Sequence, residues 1–263
     1  MPKSANMDLR GKTILITRAA TQSEELRTGL EAAGAKVIEC PAIEIVPPDD
    51  WTAVDRAALQ IHTYHWLIFT STNAVTHFLE RLRLLGVECR IPIAAVGTGT
   101  AARLGQWHLS AERIPKDFRA EGILDQFEDD LNGVRILIPR AETAREVLPE
   151  ELRRRGATVD VVSVYRTVKP SAGSLSRLRE ALAHESIDAV VFTSPSAIRN
   201  VAEVVGEDLT SRLASIPIAV IGPIAREAVE AAGLQAAILP SRATIQDLID
   251  SIRSYFSSLN EGT

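Results

Sequence analysis

Cysteine is nearly absent: Cys40 and Cys89 are the only two among 263 residues. Their spacing fits no metal motif, and the one bridge they could form is poor support for a secreted framework, so the thiols are expected reduced and the compartment cytoplasmic. Runs of lysine and arginine are missing too. Twenty-nine basic residues face thirty-four acidic ones, a formal charge of −5, and no basic stretch could track a phosphate backbone, which removes nucleic acid from the expected partners. No uncharged apolar stretch approaches the ~18 residues that a membrane-spanning helix needs. The opening MPKSANMDLRGK has no apolar signal core and meets its first hydrophobic run at Ile14-Leu15-Ile16, so no export is expected. Paired metal-ligand spacing is lacking as well. His62, His65, His77, His108 and His184 stand without a Cys or acidic partner that would complete a set, and with Trp51, Trp66 and Trp107 they read as surface or packing residues. No metal is expected.

What is present is a regular supply of short apolar runs. At 46% hydrophobic content the chain can bury two modest cores, or one large one. TILIT (13–17), WLIFT (66–70), IAAVG (93–97), RILIP (135–139), AVVFT (189–193) and IAVIG (218–222) are continuous rather than alternating, and each precedes a segment of helical periodicity. That is the signature of parallel strands covered on both faces, and it predicts α/β architecture with doubly wound parallel sheets. Helix starts are legible where Ser194-Pro195 and Gly222-Pro223 set a capping residue before a first-turn proline. Thr244-Ile245-Gln246-Asp247 resembles a capping box with Asp in place of Glu or Gln. Helices are expected to stop at Gly34, Gly156 and Gly233, each followed by a strand or an extended segment.

The two halves of the chain align with each other. GKTILITRAATQSEELRTGLEAAGAKV matches GVRILIPRAETAREVLPEELRRRGATV without a gap, pairing Gly11 with Gly133, Arg18 with Arg140 and Gly34 with Gly156. WLIFTSTNAV then pairs with AVVFTSPSAI, Ser71 meeting Ser194, and IPIAAVG with IPIAVIG, while Pro115 meets Pro240. The near-constant spacing implies one ancestral unit of about three strand-helix steps, present twice, and two similar domains. PAIEIVPP (41–48) and VVSVYRTVKP (161–170) are extended, proline-terminated segments, and either could be a linker. If both are, the middle of the chain forms one domain and the two terminal portions join to form the other.

In an open parallel sheet, ligands bind beyond the carboxyl ends of the strands, where helix N-termini offer unpaired N–H groups. Those positions here are Thr17-Arg18, Thr70-Ser71-Thr72-Asn73, Gly97-Thr98-Gly99-Thr100, Pro139-Arg140, Thr193-Ser194-Pro195-Ser196 and Gly222-Pro223. Hydroxyls, glycines and two arginines without a carboxylate in the immediate turns suit a polycarboxylate. Taken one at a time, Ser71, Ser194 and the glycines read as helix caps, and either arginine could instead pair with a local acid such as Glu142. Tyr165 lies in an alternating segment, where it reads as a packing residue. Gly97-Thr98-Gly99-Thr100-Ala101-Ala102 fits the dinucleotide fingerprint, with Asp117 twenty residues beyond the first glycine. Its counterpart in the other copy keeps only Gly222, and the acid closes no hydrophobic strand, so a nicotinamide-dependent dehydrogenase is the weaker alternative.

Taken together, the TR after the first strand, FTSTNAV, the VG turn, IPRA, VYRT, FTSPSA and the AVIG turn resemble the uroporphyrinogen-III synthase family, from about Lys12 to Asp250. The resemblance implies two similar domains, residues 1–40 with 169–263 and residues 48–160, joined by a two-stranded ladder of 41–47 and 161–168. It implies a cofactor-free lyase that cyclises hydroxymethylbilane, a linear tetrapyrrole polycarboxylate, to uroporphyrinogen III in the interdomain cleft. Loss of water gives an azafulvene, ring D attacks through a spiro intermediate, and the ring recloses inverted. Carried over by position are Tyr165 as donor to the departing hydroxyl, and Arg18, Ser71, Gly97, Thr98, Arg140, Ser194 and Gly222 as substrate-binding residues, the glycines allowing close backbone approach. A monomer is expected, with transient contact to hydroxymethylbilane synthase as the one protein partner the resemblance allows. From another functional class, a non-catalytic two-domain protein binding a polyanionic small molecule would use the same architecture.

Overall fold

A computed structural model describes residues 9–115 and 120–260. Residues 1–8 of the polar opening segment, and Asp117 of the dinucleotide pattern, lie outside them. In chain order the elements are β1 (Thr13–Ile16), α1 (Glu24–Ala32), β2 (Lys36–Glu39), β3 (Glu44–Val46), α2 (Thr52–Leu59), β4 (Trp66–Phe69), α3 (Thr72–Leu85), β5 (Ile93–Ala95), α4 (Thr98–Gly105) and α5 (Ala120–Leu124). There follow β6 (Arg135–Ala141), α6 (Val147–Arg154), β7 (Thr158–Val168), α7 (Ala172–His184), β8 (Ala189–Phe192), α8 (Pro195–Val205), α9 (Leu209–Leu213), β9 (Ile218–Val220), α10 (Pro223–Ala231), β10 (Ala236–Ile238) and α11 (Ile245–Asn260). Among the described residues no helix is long and apolar enough to cross a membrane.

The chain divides into two compact units: a terminal unit of Met1–Ile45 with Val168–Thr263, and a middle unit of Val46–Thr167. One sheet has the order β10-β9-β8-β1-β2 and the other β3-β7-β6-β4-β5. From β10 through to β2 in the first sheet, and from β7 to β5 in the second, neighbouring strands run parallel. The doubly wound α/β architecture expected from the apolar runs is therefore present twice. Each sheet combines strands of both sequence copies. β1 and β2 of the first copy lie beside β8, β9 and β10 of the second, whereas β6 and β7 of the second copy lie beside β4 and β5 of the first.

Register is repeated along with order. Ile14 opposes Ala189 between β1 and β8, and the aligned residues Ile136 and Trp66 oppose each other between β6 and β4. Thr13 opposes Lys36 as Arg135 opposes Thr158, and Val190 opposes Ile218 as Leu67 opposes Ile93. Among the described residues the tenth strand has only a vestige in the middle unit, a single parallel bridge between Ala94 and Arg113, the positions that align with Ala219 and Ile238 of the β9–β10 pair.

Continuous apolar strands follow from helices on both faces. Along β1, Leu15 packs with α7, α8 and α10 through Leu178, Ile198 and Val229. Its neighbours Ile14 and Ile16 pack on the opposite face with Leu26 and Leu30 of α1 and Leu248 and Ile252 of α11. β8 divides in the same way, Val190 and Phe192 to the first layer, Ala189 and Val191 to the second. Each fully buried Leu, Ile or Phe gains roughly 1.5–3 kcal/mol of transfer free energy, so a polar residue on either face of these strands would cost one layer its packing. In the middle unit Ile68, Ile136 and Ile138 share a core with Ile123 of α5 and with Leu148 and Leu152 of α6.

The punctuation residues act as their types predict, with one difference. Gly34, Gly156 and Gly233 have φ of 97°, 99° and 76°, left-handed positions that end helices at little cost for glycine. The Thr244 cap is one-sided. Its hydroxyl oxygen accepts from Asp247 N at 3.1 Å, but Thr244 N–H donates to Arg242 O at 2.8 Å instead of to the Asp247 carboxylate. That carboxylate, one methylene shorter than the Glu of a full capping box, takes the Thr244 hydroxyl and the Arg242 guanidinium.

Gly156 and Gly133 separate two costs of replacing a left-handed glycine. A Cβ at Gly156 would lie 2.6 Å from Asn132 Oδ1 and 3.1 Å from Asn132 N, whereas one at Gly133, at φ 78°, meets nothing within 4 Å. Gly133→Ala is expected to cost about 1 kcal/mol, the strain alone, and Gly156→Ala about 2–3 kcal/mol. Urea unfolding midpoints of the two variants check the order.

Candidate functional site

In each unit the residues singled out at strand ends lie at the carboxyl edge of one sheet. In the middle unit these are Ser71 after β4, Gly97 and Thr98 after β5, Arg140 near the end of β6 and Tyr165 near the end of β7. In the terminal unit they are Arg18 after β1, Ser194 after β8 and Gly222 after β9.

Tyr165 owes its placement to a bulge. β6 and β7 run in register from Arg135↔Thr158 to Arg140↔Ser163, but the next pair is Ala141↔Tyr165. The extra residue in β7 breaks the two-residue alternation, so Val164 and Tyr165 are both buried, at 0% and 8% exposure. Glu142 N donates to Tyr165 O at 3.0 Å and fixes the backbone beyond the bulge. The phenol oxygen lies 3.2 Å from Ser71 Oγ, and Ser71 Oγ also accepts from Ala74 N at 3.2 Å as the N-cap of α3. The ring of His77, from the second turn of α3, stacks on the Tyr165 ring with centroids 5.7 Å apart and planes 22° from parallel. Burial pushes the His77 pKa below its ordinary value, opposed in part by Glu80, which favours the neutral imidazole at neutral pH.

Arg140 is 8% exposed. Its Nη1 donates to Arg145 O at 2.9 Å and its Nη2 to the Glu146 carboxylate, while its buried Nε meets no acceptor among the described residues. The acid anticipated beside it, Glu142, is exposed, and the ion pair is made by Glu146 instead. The chain turns between 142 and 146 and brings the N-cap residue of α6 back over the strand end. A partner chosen by nearness in sequence misses this reversal.

The terminal unit holds the matching positions with different chemistry. Ser194 Oγ accepts from Ala197 N at 3.2 Å, the same cap as Ser71. Thr17 is fully buried and its hydroxyl donates to Val191 O at 2.8 Å, and Arg18 follows it half-buried. Gly97 and Gly222 are N-caps in extended backbone, φ −152° and −175°, which any residue adopts. A Cβ at Gly222 would stand 3.3 Å from Ala243 Cβ, so the close approach there comes from the chain's own Ala243. Thr98 is exposed at the first turn of α4.

Tyr165 and Ser71 are thus brought into hydrogen-bond contact, with Arg140 on the adjacent strand. His77, read from sequence as a surface or packing residue, packs, and its partner is Tyr165. The signal lies in the alignment of the copies: Tyr165 falls opposite Ile43 and His77 opposite Asn200, so the two positions differ together. Among the described residues no group of three or more His, Cys, Asp or Glu could hold a metal ion. Both cysteines are free, and burial pushes both thiols up, away from the reactive thiolate. A groove of about 1060 Å³ runs along β2 between α1 and α7, lined by Arg27, Lys36, Glu39, Arg177 and Glu185 among others. None of the strand-end residues lines it.

A family model of uroporphyrinogen-III synthase HemD matches residues 24–250. The chain belongs to the uroporphyrinogen-III synthase family. The uroporphyrinogen-III synthase of Synechococcus elongatus is 38% identical over 232 residues, 83% of this chain and 86% of that protein. That of Chlorobaculum parvum is 29% identical, with 87% and 93% covered. Among solved structures, a mutant uroporphyrinogen III synthase from Thermus thermophilus superposes with a TM-score of 0.65 at 17% identity, covering 95% of this chain and 100% of that one. The Helicobacter pylori enzyme gives 0.58 at 18% identity, with 93% and 99% covered. Both share the fold, and the motif resemblance is membership of the family.

Because the Arg140 guanidinium is buried and Glu146 half-exposed, Glu146→Ala is expected to lower stability by about 1–2 kcal/mol. That lies between an exposed pair and a fully buried one. Chemical denaturation checks it; an unchanged midpoint would mean that Arg145 O alone holds the guanidinium.

Proposed function

We propose that the protein is a cofactor-independent uroporphyrinogen-III synthase, a lyase that removes water from hydroxymethylbilane and closes the macrocycle with ring D inverted. The observation that carries this reading, beside family membership, is the Tyr165 phenol poised at the carboxyl edge of the middle unit's sheet and hydrogen-bonded to Ser71. The phenol donates its proton to the departing hydroxyl, which leaves as water when the C–O bond breaks, and the pyrrole N–H proton released as the azafulvene forms restores the phenol; exchanging the Ser71 contact for that oxygen needs no new buried partner. The azafulvene is then attacked by the substituted carbon of ring D, and the spiro intermediate reopens and recloses to the type III isomer.

The remaining task is positioning, which converts an otherwise promiscuous closure into one outcome. The substrate's carboxylates are met by the strand-end turns: N–H groups of the first turns of α3, α4, α8 and α10, the hydroxyls of Ser71, Thr98 and Ser194, and the guanidinium of Arg18. Gly97 and Gly222 keep side chains out of these turns. Arg140 takes a carboxylate only by exchanging it for Glu146. The same reading makes the protein a cytoplasmic monomer that receives its unstable substrate from hydroxymethylbilane synthase.

Tyr165→Phe is expected to keep the melting temperature and to slow type III formation by about 10²-fold, the lower part of the range for general acid help, since water can substitute. The measurement is isomer-resolved product formation from fresh hydroxymethylbilane, corrected for spontaneous type I closure. Wild-type rates in a folded Phe variant would remove the phenol from the mechanism, and type I product alone from the unmodified protein would favour the non-catalytic binding reading. Arg18→Ala is expected to raise KM more than it lowers stability. Activity is expected to survive exhaustive dialysis against chelator; loss restored by one metal would overturn cofactor independence.

A further inference from the structure

We infer that His77 is a positioning residue for Tyr165, holding the phenol in the orientation from which it donates to the leaving hydroxyl. This deepens the role proposed for Tyr165 and rests on it.

A tyrosine hydroxyl is aimed by two torsions, and one hydrogen bond does not fix both. The contact with Ser71 sets the distance of the oxygen, but Ser71 is itself committed to Ala74 N as the cap of α3 and constrains the ring plane little. The stack with His77 supplies the second constraint, since a ring held face to face at 22° cannot turn about its Cβ–Cγ bond without losing the contact. Both constraints come from one helix, Ser71 at its N-cap and His77 in its second turn, so they move as a rigid pair. The shift of His77 toward its neutral form leaves an uncharged imidazole face packed on the phenol ring.

The other copy of the fold separates this role from plain architecture. There the serine persists as Ser194, capping α8 through Ala197 N with the same geometry, whereas the positions of Tyr165 and His77 hold Ile43 and Asn200. Asn200 Nδ2 donates to Ala42 O at 2.7 Å, tying helix to strand end with no aromatic stack. The cap therefore belongs to the scaffold and occurs twice; the stacked pair occurs where the phenol does. A histidine needed only to pack helix on strand has a working replacement in this same chain.

The test measures kcat, KM and melting temperature for type III formation with His77→Ala, His77→Phe and His77→Asn, each made in the unmodified protein and in Tyr165→Phe. His77→Ala is expected to lower kcat about five- to tenfold with KM within about twofold, and His77→Phe, which keeps a stacking face, to recover at least about half of the loss. His77→Asn, the residue of the other copy, should fold and show the same kcat defect as Ala. In the Tyr165→Phe background none of the three should lower kcat further, because the group they position is gone. Unchanged kcat in a folded His77→Ala or His77→Asn protein would overturn the inference while leaving Tyr165 in place. An equal additional loss in the Tyr165→Phe background would also overturn it, by showing that His77 acts elsewhere. Wild-type rates for Tyr165→Phe itself would overturn the reading of Tyr165, and the inference with it.

Discussion

Each unit depends on a parallel pairing between strands far apart in the chain: β1 with β8 in one sheet, β4 with β6 in the other. A parallel ladder cannot be closed by a hairpin, and these central strands are buried on both faces, so no alternative edge offers comparable burial. The pairing sets the register of everything outside it. β2 and β9 add to either side of the β1–β8 pair, as β7 and β5 add to the β6–β4 pair. Joining the strands so late in sequence carries a loop-closure cost that local contacts do not. The buried Ile, Val, Leu and Phe of four central strands must offset it.

A consequence of parallel order is that the helices that follow directly on these parallel strands begin at the same edge of their sheet. The candidate residues gather there because capping groups, unpaired N–H groups and positive dipole ends are unavoidable at that edge. Ser71 and Ser194 show how a structural necessity becomes a chemical resource: each is needed to cap a helix, and each leaves a hydroxyl at the edge. In the middle unit that hydroxyl is joined by a phenol, through the bulge that turns Tyr165 onto it.

The two units therefore share a scaffold and differ in its furnishing. Repetition extends to individual registers, yet at the strand end that carries Tyr165 the aligned residue is Ile43, and where α3 carries His77 the aligned residue is Asn200. In the proposed reaction one ring of a nearly repetitive tetrapyrrole must be told from the others, a difference that two identical strand ends could not supply. Divergence at a few strand-end positions supplies the asymmetry without disturbing the core beneath, which is made of different residues.

The sequence by itself determined the fold class, the duplication and the sheet edge at which the candidate residues lie. All three rest on local, periodic signals: apolar runs of four or five residues, glycines where a helix must turn left-handed, serines before first turns. Six strands and the positions of Ser71, Ser194 and Gly222 as caps are legible in this way. Short β2 and β10 are barely so, because three or four partly buried residues carry little pattern. Only the tertiary structure decided who meets whom. That Arg140 chooses Glu146 over Glu142 depends on a chain reversal, that Tyr165 meets Ser71 depends on a bulge, and that His77 lies on Tyr165 depends on the packing of a helix against a strand more than eighty residues away. Such contacts are set by the geometry of packed elements, and one residue's shift in register would replace every one of them.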